Sequence, residues 1–292
     1  MSAVVKTSGG SEKVTIDGVK VKNKINLKSY IFDPKMSTLP YDFYRGSSVF
    51  FNGEVHILGG NDNNRNHYKW DGETWTSVST LPYEFIYGNA VVYNNQIHIL
   101  SSGSSASSGN YTAHYAWNGT TWTRVSTLPV NLYGGCAVVF RGKIHILGGY
   151  NGMQTHYSWD GSTWSPETNV PISMSGGAAV VLNDAIHILI ERNHYTLVGE
   201  TWTQNEPLTN KFYYGKAIVV DDAIHLLGGS VAPVGHFVIK NNVYETENNL
   251  PYEFSEGDAY TDGKNVYILG SSVNTNVRRN HYGVRVTFYK EV

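Results

Sequence analysis

The chain has 292 residues, 16% charged and 13% aromatic, with a formal net charge of −2. That length fits two ordinary domains or one large repeat domain, and the composition is that of folded β structure and not of a disordered chain. No basic surplus is available to neutralise phosphates, so nucleic acid is not expected as a partner, and no apolar run is long enough for insertion into a membrane.

Residues 1–28 precede the repeats. Met1 to Gly10 lacks the apolar core of a secretory signal, so the chain is expected to be made in the cytoplasm without export. Ser8-Gly9-Gly10-Ser11 reads as a flexible stretch, and residues 14–21 alternate around Asp17-Gly18, which predicts a small hairpin. The segment 1–28 reads as an attachment arm. Residues 29–38 stand where every later unit has a fourth strand. They are expected to form the outer strand of the last unit, beside residues 283–288 read as one continuous strand. Tyr289 leaves a second closure open, in which the C-terminus turns and supplies its own outer strand.

From Leu39 onward the chain falls into register. Leu39-Pro40, Leu81-Pro82, Leu128-Pro129, Val170-Pro171, Leu208-Thr209 and Leu250-Pro251 open six units. Six residues after each Pro or Thr209 stands a glycine: Gly46, Gly88, Gly135, Gly177, Gly215 and Gly257. A position held by glycine in every unit needs positive φ or a close backbone approach. Each unit then reads as four short strands. The first is small and apolar, as in Ala90-Val91-Val92. A two-residue turn such as Asn52-Gly53 leads to a second strand such as Val55-His56-Ile57-Leu58. A loop of variable length precedes a third strand such as His67-Tyr68-Lys69-Trp70, and Asp71-Gly72 turns into a fourth around Trp75. One such unit buries no core alone, whereas stacked units bury each sheet against the next. The expected fold is all-β: a six-bladed propeller over residues 29–292, four antiparallel strands per blade.

The second strands end in Gly59-Gly60, Gly148-Gly149 and Gly228-Gly229. A third-strand tyrosine is followed seven residues later by a tryptophan, as in Tyr68/Trp75, Tyr115/Trp122, Tyr157/Trp164 and Tyr195/Trp202. In these residues the chain resembles the Kelch repeat, over residues 39–292. The pair is replaced by Ser101-Ser102, Ile190-Glu191 and Gly270-Ser271 in three units, and Phe237 and Tyr244 stand for the aromatics in the fifth. More loosely, the Asp-Gly-Val-Lys segment ahead of a Tyr- and Asn-rich propeller is similar to proteins of bacteriophage tails and phage-tail-like particles.

All eleven histidines fall at two repeat positions. His56, His98, His145, His187 and His225 lie in second strands, and His67, His114, His156, His194, His236 and His281 open third strands. Identical residues at identical repeat positions read as packing, not as the asymmetric convergence of a catalytic or metal site. No metal and no cofactor is expected. Cys136, the single cysteine, reads as a buried inert thiol.

Function in a propeller is expected on the loops. The loops between second and third strands and those between units emerge on one face; the longest of the former, residues 101–111, reads as flexible. Three inter-unit loops share a pattern: Tyr41-Asp42-Phe43, Tyr83-Glu84-Phe85 and Tyr252-Glu253-Phe254. Rings beside carboxylates suit a sugar or a protein surface, and these nine residues are the candidate ligand-binding set; wedging of the rings between blades is the alternative.

The expectation is therefore a non-enzymatic component of a virion or tail particle. It would attach to other particle proteins through residues 1–28 and meet a cell-surface glycan or protein on its loop face. Two readings compete. The Kelch resemblance includes sialic acid mutarotases and copper oxidases, and a mutarotase would need non-repeated charged groups at the pore mouth, for which Glu191, Arg192, Arg278 and Arg279 are the candidates. The other is an intracellular protein-interaction adaptor.

Overall fold

The structure is a computed structural model that describes residues 15–16, 19–20, 28–32, 35–60, 65–100, 111–150 and 153–288. The described residues form β structure without helix: a small hairpin pairing Ile16 with Val19, and six antiparallel sheets that make a six-bladed β-propeller. The rest of residues 1–28 and most of the loop 101–111 lie outside the described residues.

Blade one shows the plan. Its strands Ser47–Phe51, Glu54–Leu58, Asn66–Trp70 and Trp75–Thr80 pair in sequence order from the axis outward. The first hairpin closes on Asn52 and Gly53, both at positive φ, the geometry of a two-residue turn matched to strand twist. In blade six the strand Asn280–Phe288 runs long and unbroken, and its outer neighbours come from the start of the chain. Lys28–Phe32 pairs along it from Phe288 to Val284, and Ser37–Thr38 pairs with His281 and Asn280. First and last blades are thereby joined by backbone hydrogen bonds, which leaves no open sheet edge at the seam.

The core is divided into six apolar clusters, one between each pair of adjacent blades. Val49, Phe51 and Leu58 of blade one, for instance, pack on Leu81, Phe85, Ile97 and Trp117 of blade two. Leu39, Phe43 and Ile57 of blade one pack on Tyr260 and Leu269 of blade six.

The histidines tie these layers together. Within a blade the two imidazoles sit diagonally on one sheet face and bond to each other: His56 Nδ1 lies 2.8 Å from His67 Nε2, and His98, His145, His187 and His225 repeat the contact at 2.9 Å. In blades one and two the far nitrogen of the third-strand ring reaches a hydroxyl that also accepts an indole N–H from the next blade, and in blade three it reaches the backbone carbonyl of Thr168, which accepts from Trp202 Nε1 at 3.2 Å. His67 Nδ1 meets Ser79 Oγ, which accepts from Trp122 Nε1 at 3.0 Å, and His114 meets Ser126, which accepts from Trp164 at 2.9 Å. At the seam the same device uses the N-terminal piece: Ser37 Oγ lies 2.8 Å from His281 Nδ1 and accepts from Trp75 Nε1 of blade one. Blade six has Tyr267 at the second-strand position, and the partner of His281 Nε2 is instead the hydroxyl of Tyr260 on the first strand.

Candidate functional site

The residues before the six repeat glycines are Arg45, Tyr87, Gly134, Gly176, Tyr214 and Glu256. All six have positive φ, between 52° and 79°. For Arg, Tyr and Glu this is a strained conformation, costing roughly 1–3 kcal/mol each and kept where the surroundings over-determine it. What holds it is a run of five backbone bonds around the axis, open between Tyr87 and Gly134. Arg45 N–H donates to Glu256 O at 2.6 Å, Tyr87 N–H to Arg45 O at 2.8 Å, Gly176 N–H to Gly134 O at 3.0 Å, Tyr214 N–H to Gly176 O at 2.8 Å and Glu256 N–H to Tyr214 O at 2.8 Å. The repeat glycines themselves have ordinary φ and serve by close approach. A Cβ on Gly88 would stand 2.3 Å from Cε2 of Phe85, the ring wedged beneath it.

Inside this run of bonds is a pocket of about 80 Å³, lined by side chains of Arg45, Tyr87, Asn89, Tyr214, Lys216 and Glu256. Its charged groups are not repeated from blade to blade, while tyrosine fills the same position twice, as Tyr87 and Tyr214. Arg45 Nε donates to Glu256 Oε2 at 2.9 Å, and the Tyr87 hydroxyl donates to Glu256 Oε1 at 2.7 Å. Both oxygens of Glu256 are thus engaged, while Nη1 and Nη2 of Arg45 make no hydrogen bond among the described residues. The guanidinium is flanked by the rings of Tyr87 and Tyr44, with Cζ 5.0 Å and 5.6 Å from their centroids. Burial, and after it the hydrogen bond to Glu256, push the Tyr87 hydroxyl far above its ordinary pKa and keep it protonated. Lys216 Nζ is held at 2.9 Å by the buried carboxylate of Asp258 in the next blade. Cys136 is buried two blades before, and burial pushes its thiol up to about 12.

The nine ligand-binding candidates lie elsewhere. Tyr41, Tyr83 and Tyr252 are buried, as are Phe43, Phe85 and Phe254, all six within the inter-blade clusters. Tyr41 donates its hydroxyl to Gly59 O at 2.8 Å and Tyr252 to Gly270 O at 3.1 Å. The rings are wedges, and alternation along the loop leaves only the carboxylates outside. Glu253 is exposed, Glu84 half-buried, and Asp42 pairs at 3.6 Å with Arg278. None of the nine lines the axial pocket. Nor do the charged candidates: Glu191 accepts from the Tyr213 hydroxyl, Arg278 stacks on Tyr44 at 4.7 Å, Arg279 donates to Leu39 O, and Arg192 is an exposed side chain. Reading the residues one by one missed Arg45, Lys216 and Glu256. Their signal is a column that changes from unit to unit directly beside one that never changes.

Fold and site together define the chain as a six-bladed β-propeller with a non-repeated polar pocket on its axis. The chain is similar to YjhT as described in "Structure of YjhT", with a TM-score of 0.75 and 14% identity, over 87% of this chain and 99% of that one. In all, 597 solved chains match the chain in structure, and likeness of fold alone does not decide a function. No family model matches the sequence, and no curated protein matches it. The expectation of a chain without enzyme activity is corrected here. It rested on Glu191, Arg192, Arg278 and Arg279 being the charged candidates for the pore mouth and reading equally well as ordinary solvated loop charge. On a fold that matches nearly all of YjhT, the pore mouth carries Arg45, Tyr87, Lys216 and Glu256.

Proposed function

We propose that the chain is a carbohydrate-active propeller, of the Kelch type its repeats resemble, that binds an acidic sugar over the axial ring and exchanges its anomers. The observation that carries this reading is Arg45. Its fork is oriented by Glu256 and two tyrosine rings, and its Nη donors remain available to a ligand. A guanidinium held in this way suits a carboxylate, which it can take bidentately.

Anomer exchange needs one proton removed and one supplied. Glu256 takes the proton of the anomeric hydroxyl and passes it to the ring oxygen, while Tyr87, kept protonated, holds the carboxylate in place by its hydrogen bond. The bond between the anomeric carbon and the ring oxygen breaks, and the anomeric C–O becomes a carbonyl. Rotation and reclosure on the other face return the proton by the same route. The test is exchange of N-acetylneuraminic acid anomers, followed by NMR. Wild type should exceed the buffer rate, and Glu256→Gln and Tyr87→Phe should fall to it. A wild-type rate equal to buffer would sink the reading.

The leading segment supports a place for this propeller in a virion or phage-tail-like particle, attached through residues 1–28 to other particle proteins and meeting a cell-surface glycan. The support is the likeness of its Asp-Gly-Val-Lys stretch to such proteins, with the paired strands Thr15–Ile16 and Val19–Lys20. Sedimentation with intact particles tests it: a chain lacking 1–28 should fold and stay behind, and co-sedimentation of that chain would refute the attachment.

A further inference from the structure

We infer that the axial site continues into a second saccharide subsite on blade three, formed by Tyr133 and Tyr150, so that the ligand is a reducing oligosaccharide and not a lone sugar. This rests on the axial reading above.

Space is the first argument. At about 80 Å³ the axial pocket is well below the roughly 300–1,000 Å³ of a pocket that encloses a whole ligand, so the body of the ligand lies over the mouth. The mouth is uneven. Arg45, Tyr87, Tyr214 and Glu256 project from blades one, two, five and six, whereas blades three and four contribute Gly134 and Gly176. The ring of Tyr214 covers Gly176, 2.9 Å from where its Cβ would stand, so the open side is that of blade three, where a Cβ on Gly134 would meet nothing nearer than Ser175 Oγ at 3.4 Å.

On that side stands an aromatic path that begins in the pocket. The ring of Tyr133 lies 4.8 Å from that of Tyr87, and Tyr150 meets Tyr133 at 6.4 Å, edge to face at 88°. Tyr150 is 51% exposed, more than any other aromatic side chain described. Burial therefore does not account for its place. Its position is set by backbone: Tyr150 N–H donates to Asn131 O, and Tyr133 N–H to Asn131 Oδ1, both at 3.0 Å. One asparagine thus ties the backbone of both tyrosines to the same point. Among the described residues near them in sequence, Met153 is the one other exposed large apolar side chain, which is too little apolar surface for the core of a protein interface. An exposed ring and a half-buried one, continuous with a polar pocket, are the chemistry of a sugar face.

The experiment is calorimetric titration with N-acetylneuraminic acid and with its α2,8-linked disaccharide. Wild type should bind the disaccharide about five- to tenfold more tightly. Tyr150→Ala should abolish that difference and leave monosaccharide affinity unchanged, and Tyr150→Trp should retain it. A thermal melt checks that both variants fold. Equal wild-type affinities, or a Tyr150→Ala variant that keeps the difference or loses both ligands alike, would overturn the subsite and leave the axial reading standing. If wild type binds neither sugar, both readings fall.

Discussion

Arg45 and Glu256 lie 211 positions apart, in the first and last blades, yet they share an ion pair with Nε 2.9 Å from Oε2 and a backbone bond with Arg45 N–H on Glu256 O. The pair exists only once the ring has closed, so the polar side of the pocket and the seam of the propeller are the same place. Because Arg45 keeps a third of its side chain exposed, the pair adds little to stability, about 1 kcal/mol or less. Arg45→Met should lower the urea midpoint only slightly and reduce anomer exchange about 100-fold or more. A variant as active as wild type would remove Arg45 from the site.

The histidine pairs make the propeller sensitive to acid. Burial lowers His67, His114 and His236 to about 3, and His56, His98, His145, His194 and His281 to about 4, from a free value of about 6.5. The unfolded chain takes up these protons as pH falls below about 6.5, and the folded chain does not until about 4 or lower. Stability is therefore complete above 6.5 and lost progressively below it, by up to about 1.4 kcal/mol per pH unit for each ring. The urea midpoint should be level between pH 7 and 8 and drop steeply between pH 6 and 4.5. A level midpoint down to pH 4.5 would contradict the burial of these rings as neutral groups.

Ser126 holds two blades with one oxygen, 2.7 Å from His114 Nδ1 and 2.9 Å from Trp164 Nε1. Ser126→Ala strands a buried imidazole nitrogen and an indole N–H. It should cost about 1–3 kcal/mol in chemical denaturation, more than an exposed serine elsewhere on an outer strand. A loss under about 0.5 kcal/mol would mean that water replaces the hydroxyl.

The inter-unit aromatics should behave as core. Tyr83→Ala removes a buried ring from the joint between blades one and two and should cost about 3–5 kcal/mol. Gly88→Ala should also destabilise, because its Cβ would collide with Phe85, and Phe85→Leu in the same chain should recover part of the loss. A Tyr83→Ala protein of wild-type stability would put that ring back on the surface.

Much of this architecture is written in local pattern. Leu-Pro openings, two-residue turns and alternating strands recur six times, and each is a short-range rule that acts within its own unit. That is why blade number and strand order could be read from residues 39–292. The same periodicity concealed the site. Tyr41, Tyr83 and Tyr252 stood out because they repeat, and repetition marks what packing needs in each blade.

The sequence by itself determined the six-bladed propeller and the pairing of the histidines within their blades, because hairpin register follows from turns and alternation between neighbouring strands. Tertiary structure alone decided which side chains meet at the axis. Arg45, Tyr87, Tyr214, Lys216 and Glu256 are scattered over four blades, and no local rule relates them. They converge because each blade turns its first strand inward and backbone bonds around the axis hold the preceding residue at positive φ, which directs an arginine, a glutamate, two tyrosines and two glycines toward one small space.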